Sequence, residues 1–220
     1  MIALIGNGLI GKRIQSFINV DRVFTSKNIN TLNSHKFDLI YIAAPSSNRV
    51  WAEANPDKDT NGVNTIIDYL QKQITARIIL ISTGDTQVRP STTYGMNRLK
   101  LEQFIKNTFK CFHIIRLPCL IGSDITKNML YDIKHNTKWK NKINADSMLQ
   151  WYPLARLKQD LLDLTDTEYN FGCEPILGWD IINEFAPNLE LETCQGLIYD
   201  LKPYTVTRQE VFDAIREYLK

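Results

Sequence analysis

Met1-Ile2-Ala3-Leu4-Ile5-Gly6-Asn7-Gly8-Leu9-Ile10-Gly11 opens the chain, and its reading decides the fold. Ile2–Ile5 is a short unbroken apolar run, which suits a strand buried on both faces. No basic segment precedes it and the apolar run stops at Gly6, so it reads as a strand and not as a signal peptide. It leads directly into a G-x-G-x-x-G. That motif opens an apolar-periodic stretch of Leu9, Ile10, Ile14, Phe17 and Ile18, expected as a helix over Leu9–Asn19. In this setting Gly6 permits the tight turn, Gly8 lets backbone approach a pyrophosphate, and Gly11 lets helix and strand pack closely. The N–H groups of the first helical turn, beginning at Leu9 and Ile10, then face the phosphates with the helix dipole behind them. Two other readings fit the same residues: a strand–helix turn with no ligand, and the glycine loop of a methyltransferase.

Working outward, short apolar runs alternate with longer amphipathic ones. Further strands are expected at Arg22–Thr25, Leu39–Ala43, Arg77–Ser82 and Phe112–Leu117, and helices at Asp57–Gln73 and Tyr94–Asn107. This alternation predicts an α/β fold, a Rossmann-like doubly wound parallel sheet with its ligand crevice beyond the carboxyl ends of the strands. After Pro118 the pattern loosens, with helices expected at Ile125–Asn136, Leu154–Leu164, Trp179–Phe185 and Arg208–Leu219. A single domain is expected over 1–220, with 118–220 contributing a reduced C-terminal substrate region. A Lys-rich stretch (Lys134, Lys138, Lys140, Lys142) reads as a solvated face or, alternatively, as a site for a substrate phosphate.

Composition narrows the function classes. The 220 residues carry 26 Lys+Arg against 24 Asp+Glu, a net charge of +2, which gives no broad electrostatic case for nucleic acid or an anionic membrane. No apolar run approaches the roughly 18–20 residues of a membrane span. Cys111, Cys119, Cys173 and Cys194 form no C-x-x-C pair and His35, His113 and His135 are scattered, so no metal site or disulfide framework is expected, and a cytoplasmic setting fits.

Two local patterns point to chemistry. The second strand ends at Phe24-Thr25-Ser26-Lys27, with hydroxyls and a cation where an acidic residue would select a ribose 2′-hydroxyl. Ser26 and Lys27 suit a 2′-phosphate, which favours NADP over NAD. In the helix from Tyr94, taken as 0° and advanced by about 100° per residue, Arg98 falls at about 40°, Leu101 at about −20° and Ile105 at about 20°. Arg98 therefore shares the buried stripe, where a cation needs an anion or several acceptors. Tyr94 lies one turn earlier, and a neighbouring cation is expected to lower its pKa and fit it for proton transfer. The alternative is a structural Arg–carboxylate pair beside a core tyrosine.

Taken in order, these features resemble the extended short-chain dehydrogenase/reductase family, in its NAD-dependent epimerase/dehydratase branch. The resemblance covers roughly 1–165. Ala43-Ala44-Pro45 resembles the family's alanine-rich strand end, and Asn61 stands where the next helix carries an asparagine. Ile81-Ser82-Thr83 fills the place of the family Ser/Thr, with Thr83 the better fit. Tyr94-Gly95-Met96-Asn97-Arg98-Leu99-Lys100-Leu101-Glu102 is similar to the Tyr-Gly-x-x-Lys-Leu-x-x-Glu helix, and Arg116-Leu117-Pro118 to the segment beside the nicotinamide.

The resemblance implies an NAD(P)-dependent enzyme acting on a small-molecule substrate, a nucleotide sugar foremost. Thr83, Tyr94 and Arg98 are then the catalytic candidates. Gly6, Gly8, Leu9, Ile10, Gly11, Ser26, Lys27, Ala43, Ala44, Pro45, Ser82, Tyr94, Arg98 and Pro118 are candidates for the cofactor, and Thr83, Lys127 and Asn128 for the substrate. A homodimer through the Tyr94 helix is expected, with Leu99 on its outer side. The chain departs from the family at Arg98, where a lysine is usual, and in the 11 positions from Thr83 to Tyr94, a shorter step than the family's. These departures motivate a second reading, a dinucleotide-binding scaffold or redox sensor without turnover.

Overall fold

A computed structural model describes residues 1–193 and 195–220, so Cys194 lies outside the described residues. Residues 1–116 and 163–169 form one compact unit, and 117–162 with 170–220 a second.

The first unit is a Rossmann-like α/β layer structure. Its strands are β1 (Ile2–Ile5), β2 (Arg22–Phe24), β3 (Leu39–Ile42), β4 (Arg77–Thr83), β5 (Phe112–Leu117) and, from the returning segment, a strand over Glu168–Asn170. The helices are α1 (Leu9–Gln15), α2 (Arg49–Ala54), α3 (Pro56–Leu70), α4 (Asp85–Val88) and α5 (Thr93–Thr108). Among the described residues the parallel sheet runs β2-β1-β3-β4-β5 and ends on the Glu168–Asn170 strand. β1 pairs with β2 on one side (Leu4 opposite Val23) and with β3 on the other (Leu4 opposite Tyr41). Strand order thus reverses at β1, and the crevice of such a sheet opens between the carboxyl ends of β1 and β3.

The core follows from the unbroken apolar strands. Ile5, Ile40, Ile42, Ile78 and Leu80 pack with Val63, Ile66 and Leu70 of α3 and with Leu101 and Ile105 of α5. Pro56 starts α3 at a position where its missing N–H costs nothing.

The second unit holds β6 (Cys119–Ile121), α6 (Met129–Lys134), β7 (Met148–Leu149), β8 (Trp151–Pro153), α7 (Leu157–Leu162), then β10 (Ile176–Leu177), α8 (Gly178–Phe185) and α9 (Arg208–Leu219), the Glu168–Asn170 strand being β9. β6 pairs in parallel with β8, and β7 antiparallel with β10. Gln150 donates to the Cys173 and Leu201 carbonyls at 2.8 and 3.0 Å and accepts from the Leu201 N–H at 2.9 Å, which ties β8 to the chain around 201. No helix of the described residues is long and apolar enough to cross a membrane.

Several expected boundaries move for local reasons. α1 stops at Gln15, short of Asn19, where the Ser16 hydroxyl donates to the Arg13 carbonyl at 2.7 Å and competes with the helical pattern. α6 begins only at Met129, since Asn128 has φ 147° and caps the helix by accepting from the Tyr131 N–H. Leu154–Arg156 is a 3₁₀ turn leading into α7. α2, α4, β6, β7, β9 and β10 are additional to the expected elements.

A buried polar fork joins helix to sheet. The fully buried Glu102 of α5 accepts from Arg116 Nη2 of β5 at 2.5 Å and Nε at 3.1 Å, and from the Ser82 hydroxyl at 2.5 Å. Arg116 also reaches Glu168 at 2.6 Å, which fastens the returning strand to the sheet. Removing one partner strands a buried charge. Glu102→Ala is therefore expected to destabilise the fold by about 3–5 kcal/mol, read by urea denaturation.

Candidate active site

The glycine turn separates three roles by geometry. Gly6 has φ +107°, and a Cβ there would stand 2.3 Å from the Ala43 carbonyl oxygen. A Cβ on Gly11 would stand 2.1 Å from the Gly6 carbonyl oxygen. Both glycines are therefore required by the protein's own packing. Gly8 is not: no described atom lies within 4 Å of its Cβ position, and its φ of −80° and ψ of −161° suit any residue. A cradle is open at Gly8, beside the first N–H groups of α1, which lack carbonyl partners within the helix. Leu9 and Ile10 are half-buried at that start. Gln15 reaches back to the turn, donating to Asn7 Oδ1 at 2.9 Å and to the Gly11 carbonyl at 3.1 Å.

At the end of β2, Asn28 holds the turn by accepting from the Thr25 N–H at 2.7 Å and donating to the Val23 carbonyl at 3.0 Å. Ser26 and Lys27 lie exposed on that turn, and no acidic side chain belongs to it. At the end of β3, Ala43, Ala44 and Pro45 are half-buried, and Ala43 donates to the Ile5 carbonyl at 2.8 Å. The Ala43 carbonyl walls Gly6, so this segment and the glycine turn form one surface.

That surface continues to Tyr94. The Ser46 carbonyl accepts from Arg98 Nη2 at 2.7 Å. Arg98 also grips Asp59 of α3, with Nη1 to Oδ2 at 2.7 Å and Nη2 to Oδ1 at 2.9 Å. Its guanidinium carbon sits 4.3 Å from the centre of the Tyr94 ring. Asn97 donates to Asp59 Oδ2 at 2.8 Å and to the Thr60 hydroxyl at 3.1 Å. Asp59, Asn97 and Arg98 are all buried, so Arg98 makes the carboxylate fork that the sequence left as an alternative. Asn61 is exposed and does not meet Arg98; Asp59 does.

Tyr94 is itself buried, and Thr83 at the end of β4 and Arg98 both act on its phenol. The expected lowering of its pKa does not hold. Burial pushes the phenol up, Arg98 pulls it down by less, and Asp85 pushes it up again. The physical reason is the loss of water around the buried phenol, which outweighs the pull of Arg98, with the Asp85 carboxylate adding to it.

The segment from Thr83 to Tyr94 is filled by α4. It packs on α5 where Gly95 lacks a side chain, since a Cβ there would stand 2.1 Å from the Arg89 carbonyl oxygen. Glu53 of α2 accepts from the Tyr94 N–H at 2.9 Å and the Thr93 N–H at 3.2 Å, and these bonds hold its carboxyl below the usual range.

Other sequence candidates have structural employment. The Ser82 hydroxyl donates to Glu102. Asn128 caps α6 and donates to the Leu120 carbonyl at 2.8 Å, so its amide is occupied within its own unit. Lys127 is exposed beside it. Pro118 joins β5 to β6 and packs where Gly172 has no side chain. Leu99 is half-buried. Asp59, Asn97, Glu53 and Asp85 were missed. Asp59 had a signal, since it precedes Val63, Ile66, Ile67 and Leu70 at helical spacing on the buried stripe of α3.

No family model and no curated protein sequence matches the chain. Solved structures do. The dTDP-4-dehydrorhamnose reductase from Bacillus anthracis in complex with NADP aligns over 99% of this chain and 97% of that one, at 17% identity and TM-score 0.70. The UDP-glucose 4-epimerase from Thermotoga maritima, solved with UDP-glucose, aligns over 99% and 98% at 13% identity and TM-score 0.69. TunA, an NAD-dependent NDP-hexosamine 5,6-dehydratase of tunicamycin biosynthesis, aligns over 99% and 96% at 11% identity and TM-score 0.74. At these identities the likeness is one of fold.

The glycine geometry yields a test. Gly8→Val is expected to leave stability within about 0.5 kcal/mol of the parent while abolishing dinucleotide binding in calorimetry. Gly11→Ala is expected to cost at least about 1–3 kcal/mol, because the added methyl meets backbone.

Proposed function

We propose that this chain is an NAD(P)-dependent oxidoreductase that oxidises, reduces or epimerises a sugar carbon, with a nucleotide sugar as substrate. The observation that carries the reading is the buried Tyr94 of α5, with the Arg98 guanidinium 4.3 Å from its ring and Thr83 of β4 acting on its phenol, joined through Arg98 and Ser46 to the surface that walls the glycine turn. The dTDP-4-dehydrorhamnose reductase, the UDP-glucose 4-epimerase and the NDP-hexosamine 5,6-dehydratase among the structural neighbours support the same reading.

The residues present fit a dinucleotide. Gly8 is free of packing duty and leaves room for a pyrophosphate, with the Leu9, Ile10 and Gly11 N–H groups beside it. Ser26 and Lys27 would hold a 2′-phosphate, which makes NADP the preferred cofactor. When bound, the nicotinamide supplies the hydride chemistry. Tyr94 gives or takes the proton at the reacting oxygen, and Thr83 hydrogen-bonds that oxygen. Arg98 holds the Tyr94 ring in place. A cytosolic location and self-association through α5 belong to the same reading.

A second reading, a dinucleotide-binding scaffold without turnover, is favoured by the fork itself: Arg98 has its donors on Asp59 and Ser46. A panel of nucleotide sugars assayed with NADP and NADPH separates the two. Turnover with a loss of about 10²–10⁴-fold in Tyr94→Phe is expected for the enzyme. Dinucleotide binding with no turnover on any sugar establishes the scaffold.

Two further outcomes are expected. Lys27→Ala should weaken NADP by about 10–150-fold and leave NAD unchanged, by titration of both. Because the Tyr94 pKa is raised, its phenol stays protonated through neutral pH. The rate of carbonyl reduction should therefore fall only above the ordinary tyrosine value of about 10, and Tyr94→Phe should remove that limb.

A further inference from the structure

The buried charges around Tyr94 carry more than a fold contact. Arg98 lies over the Tyr94 ring at 4.3 Å, and both of its forward nitrogens end on the two oxygens of Asp59. The Asp59 side chain is 1% exposed and that of Arg98 6%, so water screens neither. Asn97 adds a donor to Asp59 Oδ2, which fixes the carboxylate against the guanidinium. Lysine at position 98 would present a point charge and lose the fork.

We propose that Asp59 is the positioning residue that sets the proton affinity of Tyr94: by neutralising Arg98 it keeps the phenol protonated, the form that donates in carbonyl reduction. The inference rests on the oxidoreductase reading for its direction, but its electrostatic part stands on the chain alone. The carbonyl oxygen takes the Tyr94 proton as its carbon takes a hydride from the reduced dinucleotide, giving the alcohol and the oxidised dinucleotide. A phenolate would serve the opposite direction, and a bare Arg98 cation would favour it.

The other groups facing Tyr94 do not replace Asp59 in this. Asp85 of α4 is an anion near the ring, but it shares its charge with Arg49 of α2 at 3.7 Å. Glu53 of α2 is engaged at the backbone N–H groups of Thr93 and Tyr94, near Arg89. Thr83 of β4 carries no charge. Asp59 alone among these grips Arg98 directly.

The test reads the proton, not the reaction. In full-length protein labelled at the tyrosine ring carbon bearing oxygen, the Tyr94 resonance is identified by its absence in Tyr94→Phe and followed against pH. Asp59→Asn is expected to lower the Tyr94 midpoint by at least tenfold in proton affinity. An unchanged midpoint overturns the proposal.

Asp59→Asn leaves Arg98 buried and unpaired and risks unfolding, so a second variant removes both charges together. In Asp59→Asn with Arg98→Gln, the Tyr94 midpoint is expected to stay within threefold of the parent, because two cancelling charges have been removed. A rise of tenfold or more shows that Arg98 acts uncompensated and overturns the proposal. These titrations need no substrate. Failure of the oxidoreductase reading would appear elsewhere, as Tyr94→Phe turning over like the parent.

Discussion

The close approach of three backbones at the carboxyl end of β1 is the constraint from which the site is built. Gly11 has no side chain because the Gly6 carbonyl occupies the space, and Gly6 has none because the Ala43 carbonyl does. A methyl at either position would push α1 off the strand or β3 away from β1. With both absent, the turn between β1 and α1, the end of β3 and the start of α1 form one continuous surface where strand order reverses. Gly8 differs in kind. Nothing among the described residues requires it to be glycine, and that makes it the informative residue of the three.

The second organising element is one stripe of α5. Tyr94, Arg98 and Glu102 succeed one another at four-residue spacing, so all three face inward. Arg98 forks onto α3 through Asp59, and Glu102 receives a fork from β5 through Arg116. Two buried ion pairs of opposite sense, one turn apart, hold the helix against rotation about its axis. Buried pairs of this kind are weak evidence for net stability, because the cost of taking charges out of water offsets much of their attraction. Their geometry bears on orientation: a rotation of α5 that moved Tyr94 from Thr83 would pull both forks open.

Much of this was legible in the sequence because it is written in short-range pattern. The strand runs, the glycine spacing and the Tyr94–Arg98 stripe each lie within a dozen residues, and each stands where it was expected. What escaped depends on contacts between distant segments. Asp59 and Arg98 are 39 positions apart, and Glu102 and Glu168, both on Arg116, are 66 apart. No periodicity names the partner of a buried charge; it says only that one is owed. Ser82 and Asn128 carry structural hydrogen bonds that local pattern does not reveal, for a related reason. A hydroxyl or an amide near a strand end looks alike whether it faces a ligand or satisfies a carboxylate or a helix start.

Arg98 and Asp59 are best understood as one buried unit. A guanidinium gives up its proton far less readily than an ammonium. Beside Asp59 it has a geometric reason. A planar fork takes both carboxylate oxygens and the Ser46 carbonyl at once, which a single ammonium on a flexible stem does not do. The consequence falls on Tyr94. Burial raises its pKa by more than the Arg98 cation lowers it, and the balance favours the protonated form. The guanidinium thus lies 4.3 Å from the centre of the Tyr94 ring, and burial outweighs its pull on the proton.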